Sequence, residues 1–175
     1  MSYTLEELEG ILRNLALKVY EVIYEDVSAE YRELIKECHF ATYNVGLPYS
    51  YATPCIKKDN LLSYAIDMYS LMEALYRISY TIKNGEKLCS QYIDHVKQLI
   101  KYLAEHTDLE SVQQLLRKIN AVMEKVAVAE CKEEDVREMI KKDKKYAREE
   151  FNYDEFYYGS EEYSRRLSRL IDEDP

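Results

Sequence analysis

The chain has 175 residues, room for one well-buried domain or a domain with an arm, and a net charge of −9 from 33 acidic against 24 basic side chains. That balance works against general affinity for nucleic acid, whose binders carry a basic excess that displaces counterions from phosphate. Four glycines and three prolines are too few for the closely spaced turns of a β-sandwich or barrel, which leaves helices.

Thr4 and Glu7 have the spacing of a capping box, in which hydroxyl and carboxylate serve each other's backbone N–H groups, and the apolar series from Leu8 to Ile23 predicts a helix to about Asp26. Ser28 is placed to cap a second helix, Ala29 to about Thr42. Periodicity fails from Tyr43 to Lys58, where Pro48, Pro54, Gly46 and three tyrosines predict a loop that packs or binds.

The next stretch organises the rest. Between Asp59 and Asn84 only Ser63, Asp67, Ser70, Ala74, Arg77 and Thr81 form a small, mostly polar stripe, and the remaining circumference is largely apolar. This predicts a central buried helix over about 60–83, capped by Asp59 or Asn60 and stopped by Asn84-Gly85. Glu73, at the shoulder of the stripe, is expected to be held by Arg77 or a tyrosine hydroxyl. Asp67, Glu73 and Arg77 would each cost roughly 3 kcal/mol at mid-bilayer, which argues against a membrane span.

Two further helices are predicted over Glu86–Glu105 and Leu109 to about Ala129, the second opening on a Thr107/Glu110 capping box, and their short connection pairs them antiparallel. Glu133 to Arg148 offers only Val136, Met139 and Ile140 as apolar positions and predicts a helix exposed on most of its surface. The tail mixes acids with aromatics, and Ser160 then caps a short helix carrying Tyr163, Leu167, Leu170 and Ile171 on one side. The expected fold is all-α: a five- or six-helix bundle around the central helix at about 60–83, with a C-terminal helical arm. The expected domains are a helical bundle over 1–132 and, over 133–175, a charged helix with an acidic, aromatic arm.

Little in the chain points to catalysis. Cys38, Cys55, Cys89 and Cys131 are widely spaced without a Cys-x-x-Cys pair, so no structural zinc is expected and the four read as buried free thiols of a reducing cytoplasm. The N-terminus, MSYTLEELEG, lacks the basic start and apolar run of a signal peptide, which agrees with a cytoplasmic location. Isolated glycines and scattered histidines leave no phosphate loop and no metal spacing, so neither a cofactor nor a metal is expected.

Arg32 and His39 share one face of the second helix, and their spacing resembles the Arg-x4-6-His of the HEPN helical ribonucleases. The resemblance implies a ribonuclease with these two residues as catalytic pair: His39 as general acid/base and Arg32 steadying the phosphate. Glu33 departs from the small polar residue the family favours there, and nine arginines with three histidines produce about half such a pair by chance.

Tyrosine numbers 18 and tryptophan none, and the tyrosines of irregular segments are the better docking candidates, because tyrosine gives large contact area at low entropy cost. Tyr49 and Tyr51 in the loop, with Phe151, Tyr153, Phe156, Tyr157 and Tyr158 in the tail, are the expected partner-binding residues. The expected function is a non-enzymatic interaction protein, a small subunit or adaptor that docks a protein partner or a second copy of itself through Tyr-rich and acidic surfaces. Two rival readings are an acidic inhibitor that mimics nucleic acid against a DNA- or RNA-binding enzyme, and the HEPN-like ribonuclease. Lys141, Lys142, Lys144, Lys145 and Arg148 form the one basic face that would meet nucleic acid locally.

Overall fold

The computed structural model describes residues 3–43 and 53–173, and among these the chain is all-α. The helices are α1 (Leu5–Val22), α2 (Ser28–Tyr43), α3 (Thr53–Lys83), α4 (Ser90–Glu105), α5 (Glu110–Met123), α6 (Glu133–Glu150), α7 (Tyr153–Tyr158) and α8 (Ser160–Glu173), with a π turn, Ile23–Val27, joining α1 to α2. They divide into two compact units, one of Met1–Val22 with Ile66–Phe151 and one of Ile23–Ala65 with Asn152–Pro175.

The first unit is built on the greater part of α3, where Met68, Leu71, Leu75 and Ile78 are fully buried. The small, polar stripe of this helix is exposed only at Ser63 and is half-buried or buried from Asp67 on. Ser70, Ala74 and Thr81 are buried, and the two hydroxyls turn back to the helix's own carbonyls, Ser70 Oγ to Ile66 O at 3.4 Å and Thr81 Oγ1 to Arg77 O at 2.8 Å. Small side chains let neighbouring elements approach. Ser79 Oγ donates to the carbonyl of Glu9 on α1 at 3.0 Å. The predicted stop is present, with Gly85 at φ +65° and Glu86 N donating to Thr81 O at 3.0 Å, the wide turn of a left-handed helix end.

Helices α4 and α5 are antiparallel, since Gln113 Nε2 reaches Ala104 O at 2.6 Å near one end and Lys97 pairs with Glu124 at 3.2 Å near the other. Ile93, Val96, Ile100 and Leu103 on α4, with Val112, Leu116 and Ile119 on α5, form their buried faces. Helix α5 ends at Met123 and not near Ala129, because Ala129 is drawn into a backbone bridge: Ser90 N donates to Ala129 O and Ala129 N to Leu88 O, each at 2.8 Å. The Gln91 side chain clamps the same segment, donating to Cys131 O at 2.7 Å and accepting from Cys131 N at 3.1 Å. The expected Thr107/Glu110 capping box gives way to Gln113, whose amide also takes Thr107 O at 2.8 Å, while Thr107 Oγ1 accepts from Leu109 N.

The second unit departs further from expectation. No glycine or proline separates α1 from α2, and the helix runs on through one widened π turn, after which Ser28, predicted as an N-cap, opens α2 and donates its hydroxyl back to the Tyr24 carbonyl. Helix α3 begins at Thr53, so residues 53–58 are helix where a loop was predicted and Asp59 and Asn60 lie inside it, not at its cap. A proline is accepted in the first turn, where the backbone N–H has no helical partner in any case, and Pro54 sits there. Tail residues build α7, capped by Asn152, whose Oδ1 accepts from Glu155 N at 3.0 Å.

All four cysteines are paired, which corrects the expectation of free thiols. Cys38–Cys55 joins α2 to the first turn of α3, and Cys89–Cys131 joins the start of α4 to the segment before α6, with Cα separations of 4.9 and 5.3 Å. Sequence spacing said nothing of either pair, since each unites elements that only folding brings together.

Candidate functional site

Within the first unit, three side chains from three helices meet in the interior: Arg77 of α3, Tyr92 of α4 and Asp143 of α6. Asp143 stands on the inward stripe of α6 defined by Val136, Asp143 and Ala147, at a position where an aliphatic residue would ordinarily sit, and it is only 6% exposed. Its Oδ1 accepts from Arg77 Nε at 2.9 Å and its Oδ2 accepts from the Tyr92 hydroxyl, so both oxygens are served and the buried charge is compensated. Burial, with Asp143 beside it, pushes the Tyr92 phenol far above its usual range and keeps it a donor.

Two clefts flank this cluster. The larger, about 410 Å³, lies among α1, α3 and α6, with Glu73, Tyr76 and Tyr80 on one wall and Tyr146 on the other. The smaller, about 250 Å³, is bounded by α3, α4 and α6 and brings Asp67, His95 and Lys144 together. Burial and Lys144 push His95 below its usual value against the pull of Asp143. Burial raises the Asp67 carboxyl, which Lys144 and Arg148 partly offset. Burial, then Asp143 and Glu150, likewise raises Glu73. Arg77 hydrogen-bonds Asp143, where the sequence had offered it to Glu73. Among the described residues, no three histidine, cysteine, aspartate or glutamate side chains converge as metal ligands.

The residues singled out from sequence are scattered. Tyr49 and Tyr51 lie outside the described residues, as does the side chain of His39. Arg32 lies in the second unit with its guanidinium against Gly159, close enough that a Cβ there would meet Nη1 at 3.1 Å. Gly159 also has φ +79°, the backbone conformation that reserves the position for glycine, while the Arg32 side-chain end would need to shift only slightly. Phe151 is buried edge-on to Tyr69 in the first unit, ring centroids 6.0 Å apart. Phe156 is buried in the second, 4.7 Å from the Tyr31 ring and 6.5 Å from Tyr24. These two are anchors of the chain's own packing. Tyr153 and Tyr157 stay about half exposed, while Tyr158 stacks edge-on to Tyr157 and receives Arg166 over its ring at 4.4 Å. Lys141, Lys142, Lys144, Lys145 and Arg148 are all exposed on α6.

Arg77 was expected on the α3 stripe, whereas Asp143 read as one charge in a charged helix. Its heptad spacing from Val136 was the available signal. The chain matches no known protein family, no curated protein and no solved structure.

Proposed function

We propose that this is a non-enzymatic helical interaction protein, a small subunit or adaptor, and that its docking element is α8. The observation that carries the reading is an uncovered apolar stripe: Leu167, Leu170 and Ile171 are 41%, 58% and 73% exposed on one side of this helix. Their spacing is that of the anchors by which an amphipathic helix lies in a groove of another protein. Arg165 and Arg169 lie on the opposite side of the helix, where Arg165 pairs with Glu161 at 3.6 Å, so the apolar side is left for contact. The half-exposed Tyr153 and Tyr157 add aromatic area in the same unit.

Among the described residues no helix is long and apolar enough to cross a membrane. The cytoplasmic location proposed here is compatible with two disulfides in a hyperthermophilic cell, where intracellular disulfides persist.

A photo-crosslinking side chain at position 171 tests the docking reading. A discrete adduct with another protein, lost in Leu170→Asp and reproduced as a 1:1 complex with that protein purified, is the expected outcome. An adduct with a second copy alone would make α8 a self-association element, and no adduct would remove the proposal.

A further inference from the structure

The cleft among α1, α3 and α6 belongs to the first unit, whereas α8 belongs to the second. Glu73, Tyr76 and Tyr80 follow one another along a single face of α3, and Tyr146 of α6 stands across from them, so aromatic rings border a half-buried carboxyl. Two of the cleft's cations are already spoken for: Arg13 pairs with Glu9 at 3.3 Å and Arg77 with Asp143 at 2.9 Å. Lys83 lies in the last turn of α3, ten residues from Glu73 and therefore roughly 15 Å away along the helix. What remains near the rings is the Glu73 carboxyl, which burial, Asp143 and Glu150 raise and Arg77 only partly offsets, and among the described residues it forms no ion pair of its own.

We propose that this cleft binds an alkylammonium group, its charge on the Glu73 carboxylate and its methylenes between the tyrosine rings. The ring faces attract a cation and cover an aliphatic chain at once, which neither a phosphate nor a plain apolar ligand would use. A divalent metal is disfavoured by the same geometry, since no trio of metal-type ligands converges there among the described residues. A volume of about 410 Å³ accommodates a lysine side chain or a polyamine segment, two sources of one chemistry.

The full chain titrated with spermidine, with Nα-acetyl-lysine methylamide and with inorganic phosphate, followed by NMR of the tyrosine rings, decides the matter. Either amine is expected to shift the Tyr80 and Tyr146 resonances saturably, and the tighter of the two names the source. Glu73→Gln should weaken that binding about tenfold or more while the cooperative melt is retained. Tyr146→Leu should weaken it, whereas Tyr146→Phe, which keeps the ring face, should restore it. Amine binding unchanged in Glu73→Gln, or phosphate shifting the same resonances and lost in Lys83→Ala, would overturn the assignment, as would no saturable shift with either amine.

Discussion

Helices α6 and α8 are written in nearly the same alphabet, acids and bases with an occasional aliphatic side chain, and they end in opposite situations. Helix α6 sends a carboxylate into the interior, where Arg77 and Tyr92 occupy both oxygens of Asp143. Helix α8 leaves Leu167, Leu170 and Ile171 in water. The difference teaches that an amphipathic pattern names the face a helix would bury but not whether anything lies opposite it. For a charged residue the deciding question is whether other helices deliver donors to it, because an uncompensated buried charge costs several kcal/mol and a doubly hydrogen-bonded one is tolerated.

The sharpest way to break the comparison is Asp143→Ala, which strands Arg77 and the Tyr92 hydroxyl in the interior. It should destabilise by about 3–5 kcal/mol in denaturant unfolding. A loss below about 1 kcal/mol would mean that α6 is not held by this residue. Tyr92→Phe removes one donor and keeps the ring, so about 1–3 kcal/mol is expected, with Asp143 Oδ2 left short of a partner. Before α8, Asn152→Ala removes the α7 cap and should cost about 1 kcal/mol. At the far end of the scale, Leu170→Ala should change stability by less than about 0.5 kcal/mol, since its side chain is exposed. A core-sized loss there would show α8 packed on its own chain, and the contrast with α6 would collapse.

Acid sharpens the comparison from another side. His95 titrates below its ordinary value of 6.5 in the folded chain, so the unfolded chain binds the proton more tightly, and stability should fall as pH drops from about 6.5 through the folded value. Glu73 works in the opposite sense. Its raised carboxyl favours the folded state when protonated, and stability is lost as pH rises from its ordinary 4.5 through the folded value. Thermal melts of His95→Gln should lose the first slope, and Glu73→Gln should melt higher than the unsubstituted chain at pH 7 but not below pH 4.5. Slopes unaltered by either change would show that these side chains feel no such burial.

Helical periodicity, scarcity of glycine and proline, and the Thr4 and Gly85 signals made the all-α class, the central helix and most of its buried residues legible from sequence, because burial of an apolar face is a local, repeating property. Of the expected Thr4/Glu7 capping box the structure shows one half, Glu7 N donating to Thr4 Oγ1 at 3.1 Å. Boundaries at Ser28 and Asp59 were misread, since cap residues announce a helix start only when the preceding residues cannot be helical, and here they could. What lay beyond local reading was pairing at long range: Cys89 with Cys131, Phe156 with Tyr31, and above all Asp143 with Arg77 across 66 residues. A charged or aromatic side chain carries no mark of whether it meets water, a counter-charge or another ring. That is decided only when the tertiary structure brings distant helices within hydrogen-bonding and van der Waals reach.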